Sequence, residues 1–472
     1  MRESPPQPDL VSSSQPAPGR VDPNQRPALL IASLASFLTP FMGSAVNLAL
    51  PLMAREFAMD AVMLSWVASS FLLSAAMFLV PFGRLADIHG RKRIFTCGVA
   101  VFTFASLLTA AAISGAMLIA MRILQGFGSA MIFGTGVAIL TSVFPPGERG
   151  KALGINSAAV YLGLSLGPFF GGFLTQHLGW RSLFLINLPV GVLLIALVQR
   201  LQGEWAEARG EKFDLPGAII YIAALTAIML GFSLLPAWPG AVLLVAGLAG
   251  LFAFTKWERQ TPSPVLRLQL FANTVFAFSN LAALIHYSAT FALTFLLSLY
   301  LQYVKALPPQ SAGFILVAQP VMMTVFSPIA GRLSDRIEPR LVASFGMLLS
   351  AAGLFLFTFL QENSTLPFLV AGLLLLGLGF ALFSSPNTNA VMSAVDKRFY
   401  GIASGTLGTM RLTGQMLSMG IATLIFAIYL GRVQIAPANY PLFMKSMHSA
   451  FTIFSLLCLA GTFASLARGK VR

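Results

Sequence analysis

The stretch GRLADIHGRKR, residues 83–93, returns as GRLSDRIEPR at residues 331–340, which places Asp87 opposite Asp335 at an offset of 248. Two more matches follow in the same order. Gly126-Phe-Gly128 pairs with Gly377-Leu-Gly379 at an offset of 251, and Gly154-Ile-x-Ser157 with Gly401-Ile-x-Ser404 at 247. Three near-equal offsets in order define an internal duplication, so the chain consists of two related halves in parallel orientation.

The material around these motifs is apolar. Of 472 residues 57% are hydrophobic and only 10% are charged, with a mean hydropathy of +0.81. An average soluble domain is about 25% charged. So little polar surface cannot coat this much apolar mass in water, which excludes an ordinary soluble enzyme, a disordered protein and a disulfide scaffold. A bilayer core about 30 Å thick needs about 20 apolar residues as helix. Runs of that kind fall at 28–50, 62–82, 94–114, 116–143, 152–176, 182–200, 216–234, 238–255, 273–303, 310–330, 341–360, 366–392, 401–430 and 448–467, fourteen in all. Lipid cannot satisfy backbone N–H and C=O groups, so these spans are helices. The expected fold class is an all-α membrane protein with 14 transmembrane helices: two pseudo-symmetric six-helix halves plus two inserted helices.

An even number of spans puts both termini on one side. Of the 30 Lys and Arg, Arg55, Arg181, Lys305, Arg432 and Lys445 lie on the other side and Arg122 and Arg411 within spans, leaving 23 beside the termini. That bias predicts cytoplasmic termini in an inner (plasma) membrane. The five tryptophans, Trp66, Trp180, Trp205, Trp238 and Trp257, all fall at or just beyond span ends, where amphipathic rings settle. The net charge of +14 is scattered in short clusters and forms no basic domain, so it is read as orientation and not as nucleic-acid binding. Cys97 and Cys458 lie inside apolar runs and read as small hydrophobes, with no metal site.

The expected organisation is a disordered cytoplasmic tail at 1–27, an N-terminal half at 28–202, linkers and two inserted helices at 203–272, and a C-terminal half with a short tail at 273–472. The stretch GEWAEARGEKFD, 203–214, is read as a cytoplasmic linker.

In the loop after the second span, Asp87 stands among Arg84, Arg91, Lys92 and Arg93. A carboxylate aimed at a helix N-terminus gains about 0.3–1 kcal/mol, more when partly buried. Asp87 is therefore expected to latch onto the start of the thirteenth span near Gly401, and Asp335, with Arg332, to face the start of the fifth. A solvated loop acid is the plainer alternative. Arg122 lies inside the fourth span, where an arginine costs about 2.5–3.5 kcal/mol, so it faces a partner or a cavity unless it reaches outward. Gly154, Gly163, Gly167, Pro168, Gly171 and Gly172 give the fifth span a close-packing face and a kink. By the residues alone this is equally a generic packing helix.

Taken together, GRLADIHGRKR, RILQGFGSA at 122–130, the glycines of the fifth span and LGWRSLFLINLPVG at 178–191 resemble the signatures of the fourteen-helix drug:proton antiporter branch of the major facilitator superfamily, over the whole chain after residue 27. The resemblance implies a secondary transporter working by alternating access: multidrug efflux of small amphipathic compounds against inward proton flow, with substrate bound between the halves. It implies a monomer in the lipid bilayer without a cofactor, with Asp87, Arg84, Arg91, Asp335 and Arg332 as latch or proton relay. A facilitative or proton-coupled carrier of one metabolite or vitamin, anionic ones included, is the alternative. One departure stands out. The family's first span carries an acid before an asparagine; here Asn47 and Pro51 are present but the acid's place is Met42, and none of the 16 acids lies well inside a span.

The polar groups within spans are Asn47, Arg122, Gln125, His286, Tyr287, Gln319, Asn389, Arg411 and Gln415, expected to line the chamber or to bond helix to helix. Two arginines without a buried acid predict a positive chamber suited to an anionic or hydrogen-bond-accepting substrate. His286 either packs or titrates. No phosphate-binding loop is present, and the four dispersed histidines offer no catalytic constellation, so no enzyme is expected.

Overall fold

The computed structural model describes residues 23–145, 148–266, 268–334, 336–396, 399–431 and 433–469. Most of the expected tail, and Asp335, lie outside the described residues. Among the described residues, fourteen helices are long and apolar enough to cross a bilayer. They are α1 (Gln25–Glu56), α2 (Ala61–His89), α3 (Arg91–Ala110), α4 (Gly115–Val143), α5 (Ala152–Leu178), α6 (Arg181–Gln199), α7 (Leu215–Leu234), α8 (Trp238–Glu258), α9 (Thr274–Val304), α10 (Pro309–Ser334), α11 (Pro339–Phe359), α12 (Leu366–Ser393), α13 (Tyr400–Tyr429) and α14 (Pro437–Ala467).

Packing repeats as the sequence does. In the first half α1 packs along α5, α2 and α3 on α4, and α3 on α6; in the second α9 packs along α13, α10 and α11 on α12, and α11 on α14. The duplicated glycines explain part of this. A Cβ on Gly128 would stand 2.6 Å from the Phe102 amide nitrogen of α3, and one on Gly379 would stand 2.7 Å from the Ser350 amide nitrogen of α11. Only glycine lets these helix backbones approach so closely. The halves meet along two seams, α2 on α13 and α5 on α10, which the pseudo-symmetry exchanges. The inserted hairpin α7–α8 lies over the first seam. Trp66 Nε1–H donates to Ser233 Oγ at 2.8 Å, and Tyr221 O–H to the Ala76 carbonyl at 3.3 Å. The outer face of α8 is apolar and exposed at Val245, Leu248 and Phe252, as a lipid-facing helix must be.

Proline interrupts two spans. The first part of α6 ends at Leu185 and the second begins at Asn187, since Pro189 has no N–H to give the Leu185 carbonyl. Likewise α10 breaks at Val317, four residues on from Gly313, where Pro320 cannot bond the Leu316 carbonyl. The last span starts at Pro437 and not at 448, because Lys445 stays on the exposed face while Tyr440 donates its hydroxyl to the Tyr303 carbonyl at 2.6 Å.

Candidate functional site

Hydrogen bonds across the seams run through the middle and the side away from the termini. Ser298 Oγ donates to the Asn47 carbonyl at 2.7 Å, joining α9 to α1, and Ser65 and Thr423 hydroxyls meet at 2.8 Å between α2 and α13. Between α5 and α10 the helices touch backbone to backbone: Cβ atoms on Gly172 would stand 2.5 Å from the Pro309 carbonyl oxygen. Tyr161 and Ser384 hydroxyls meet at 3.1 Å, and Ser165 and Thr324 at 3.0 Å, near the middle. Toward the terminal face Gly154, Gly405 and Gly408 have open space where a side chain would stand, and Ser157 and Ala158 are exposed. The seam is closed on one side and parted on the other.

At the floor of the parted side sits an aromatic wall. Tyr287, Met323 and Phe380 of the second half pack against Tyr161 and Leu164 of α5. Arg411 lies 5.7 Å over the Tyr287 ring and donates Nη2–H to Thr388 Oγ1 at 2.7 Å; it is half-buried, and Gln415 lies one turn on. His286 is fully buried, with ring centroids 4.1 Å from Phe383 and 5.0 Å from Phe380, and neither ring nitrogen has a hydrogen-bond partner among the described residues. Gln319 is buried in α10 where Gly377 packs. Asn389 lies nearer the termini, donating to Ser334 Oγ at 3.1 Å.

The structure puts Arg122 and Gln125 away from the seam, a correction to their expected place on the chamber wall. Arg122 is 1% exposed, with its guanidinium 4.3 Å over Phe71 and Nε–H donating to the Val67 carbonyl at 3.0 Å. Its Nη1–H reaches Gln125 Oε1 at 2.5 Å; Gln125 and Asn187 then both donate to Ser106 Oγ, at 2.7 and 3.1 Å. The chain of bonds ties α2, α3, α4 and α6 together. Arg122→Met leaves Gln125 Oε1 unpaired in an apolar interior, at a cost of about 1–3 kcal/mol. The purified protein should melt measurably earlier in detergent; an unchanged midpoint would contradict the brace.

The fifth-span glycines face two ways. Gly163, Gly167 and Gly171 pack on α1 against Phe41, Ser44 and Ala45, whereas Gly172 faces α10 and Gly154 faces open space. Gly172→Val is therefore expected to prop open the side away from the termini. Overpacking costs about 1–3 kcal/mol, which converts to about five- to 150-fold in closed population. Labelling of a cysteine placed at Gln310, which bonds Gln176 across that seam, should rise accordingly.

The signature loop carries contacts that the sequence reading missed. Gly90, at φ 116°, turns the chain from α2 into α3. Arg91 donates to Asp87 Oδ1 from Nε and Nη2 at 2.9 and 2.7 Å, and from Nη1 to Ser142 Oγ at 2.5 Å and Glu207 Oε1 at 2.7 Å. Glu204 accepts from Lys92 N–H at 2.8 Å and Arg93 N–H at 3.1 Å, an anion on the N-terminus of α3. Glu211 pairs with Arg84 at 2.5 Å. The linker thus lies along the loop by its acids, and Ala208 N–H donates to the Asp87 carbonyl at 2.9 Å. The available signal was four acids, Glu204, Glu207, Glu211 and Asp214, crowded into 203–214 of a chain with 16 in total. Asp87 does not touch the start of α13, as it was expected to; Gly401 there lies beside Thr141 of α4. Arg332 is exposed. In the second half a different residue braces the equivalent corner. Arg468, beyond the end of α14, is fully buried and donates to Asn387 Oδ1 and Ser465 Oγ, both at 3.0 Å. Burial pushes its guanidinium down to about 10.

The comparisons agree with this architecture. The Major Facilitator Superfamily family model matches residues 32–255 and 279–470. The chain is 32% identical over 434 residues to the riboflavin transporter RibZ of Clostridioides difficile, covering 90% of this chain and 92% of that protein. It is 34% identical over 412 residues to the cephamycin export protein CmcT of Amycolatopsis lactamdurans, 84% of each. It is 31% identical over 408 residues to the multidrug resistance protein Stp of Mycobacterium tuberculosis, 85% of this chain and 76% of that one. Two solved structures share the fold. One is the peptide transporter POT in complex with sulfate, with a TM-score of 0.67, 14% identity, and coverage of 92% and 93%. The other is a bacterial homolog of the human lysosomal transporter Spinster, with a TM-score of 0.64, 17% identity, and coverage of 94% and 97%. With duplicated halves, an inserted hairpin and a seam parted on one side, this chain belongs to the major facilitator superfamily and is a secondary transporter.

Proposed function

We propose that the chain exports small amphipathic compounds across the plasma membrane in exchange for protons, one chain sufficing because the chamber lies between its own halves. Both termini are assigned to the cytoplasm by the positive-inside bias, so the parted seam is open to the cytoplasm and takes up substrate there. The observation that carries the reading is the wall of Tyr161, Tyr287 and Phe380 beside Arg411 at the base of that opening. Aromatic rings hold a flat or apolar body, and a half-buried guanidinium with an unpaired Nε selects a hydrogen-bond-accepting or anionic group on it. The relatives named for cephamycin export and multidrug resistance support export. Similarity to a riboflavin transporter over 90% of the chain supports the second reading, a carrier dedicated to one metabolite.

Everted membrane vesicles with and without the protein separate the readings. An inside-acid gradient should drive accumulation of several unrelated amphipathic substrates, and Arg411→Gln should weaken acceptor-bearing ones most. Uptake of a single compound, indifferent to the gradient, would favour the dedicated carrier; carriage of cations with acceptors ignored would remove the proposed role of Arg411.

A further inference from the structure

The two ends of the inserted hairpin meet at the terminal face, outside the seams. Asp214 caps α7, its Oδ1 accepting from Gly217 N–H at 3.0 Å. Trp257, in the last turn of α8, donates Nε1–H toward both oxygens of the same carboxylate at 3.1 Å. The next residue, Glu258, turns inward. It is 3% exposed; Oε2 accepts from Leu266 N–H at 3.1 Å, and Oε1 has no hydrogen-bond partner among the described residues. Asp214 is 7% exposed. Asp214 Oδ2 and Glu258 Oε1 both lie within 3.0 Å of the point where a Cβ on Gly217 would stand, so the two oxygens are at most about 6 Å apart. Position 217 must be glycine for both carboxylates to fit.

Two carboxylates this close and shielded from water do not both ionise. The Asp214 oxygens take the indole and backbone N–H groups and sit on a helix N-terminus, contacts that favour a negative charge there. Glu258 is held by the backbone N–H groups at 265–266, and its Oε1 has no partner among the described residues; a proton would turn it into a donor toward Asp214. Among the described residues the other charges around the pair are few. Arg84 of α2 interacts electrostatically with Glu258, has a buried Nε without a partner, and gives Nη2 to Glu211 at 2.5 Å. Lys256 and Arg259, on either side in sequence, are exposed.

We infer that Asp214 and Glu258 form a proton-binding site, in which one proton carried by Glu258 joins the two ends of the inserted hairpin. Its release as pH rises sets two like charges side by side. Arg84 is then drawn from Glu211 toward Glu258, and the linker 203–214 loosens from the signature loop. The site does not depend on which substrate is carried.

Infrared spectroscopy of the purified protein in lipid nanodiscs tests it at successive pH values. A protonated-carboxyl C=O band should be present at neutral pH, vanish as the pH is raised, and be absent from Glu258→Gln, whose amide can donate to Asp214 as the neutral acid would. In Asp214→Asn the band should persist and titrate at lower pH, the repelling charge being gone. Hydrogen exchange of 203–214 should quicken with pH in the native protein relative to Glu258→Gln. A band that survives in Glu258→Gln, or linker exchange that runs in parallel in the two proteins at every pH, overturns the inference.

Discussion

Asp87→Asn slows transport about tenfold or more and leaves substrate affinity on the terminal face nearly unchanged. In the conformation described, the Asp87 side chain is 30% exposed and shares Arg91 with Glu207 and Ser142, so its contribution here is screened and small. The larger effect belongs to the other conformation. When the seam shuts at the terminal face, the start of α13, already beside Thr141 of α4, is expected to close on the end of α2. Arg91 is already anchored to α4, at Ser142 Oγ and at the Ala138 carbonyl. Asp87 then meets the N-terminus of α13, a contact worth up to about 2 kcal/mol when partly buried, and each 1.4 kcal/mol is a factor of about ten. Asparagine keeps the shape and loses the charge. The terminal-face-open form is favoured, the return step slows, and binding is spared. Turnover measured in proteoliposomes, alongside distances between spin labels on the ends of α4 and α13, checks both halves of the argument. Normal turnover with unshifted distances would remove the latch.

That contact also shows where sequence reading stops. The duplication at 248 residues and fourteen apolar runs sufficed for the architecture, because lipid permits only helices and the glycine pairs at 126–128 and 377–379 dictate which helices touch. The partner of a given side chain is another matter. Arg122 reads as a chamber residue from its depth alone; its true surroundings depend on Phe71 and Ser106 from helices elsewhere in the chain. The sequence pairs Asp87 with the start of α13, which suits a closed face, whereas the open face leaves it with Arg91 and the linker. The roles of Glu207 and Glu211 were invisible for the same reason: nothing in a twelve-residue hydrophilic stretch says that it folds back over a loop more than a hundred residues earlier. Arg468 sits in a sequence that looks like a basic tail, yet Asn387 Oδ1, Ser465 Oγ and the Pro339 carbonyl at the start of α11 hold it inside.

His286→Gln abolishes gradient-driven accumulation and leaves substrate exchange without a gradient intact. Met42 is fully buried in α1, and the one carboxylate of that helix, Glu56, stands at its last residue, so α1 brings no acid to the aromatic wall. Among the described residues of and behind the aromatic wall, His286 is the one histidine, the side chain type whose unperturbed proton affinity lies nearest neutral pH. Leaving a buried polar group unpaired costs about 1–3 kcal/mol, and His286 leaves both ring nitrogens so. A phenylalanine would fill the space against Phe380 and Phe383 without that cost, which argues that the imidazole is kept for its titration. An imidazolium there, with Arg411 stacked on the adjacent Tyr287 at 5.7 Å, requires water in the chamber. A substrate ring lying on Tyr287 and Phe380 removes that water, so proton and substrate exclude one another, which is the condition for exchange. With one proton per substrate, a gradient of one pH unit supports about tenfold accumulation, since one unit is 1.36 kcal/mol. Glutamine preserves bulk and hydrogen bonding but cannot carry a proton. Accumulation in its vesicles should fall to the level set by the substrate's own gradient, while counterflow continues. Full accumulation by His286→Gln would place the proton elsewhere.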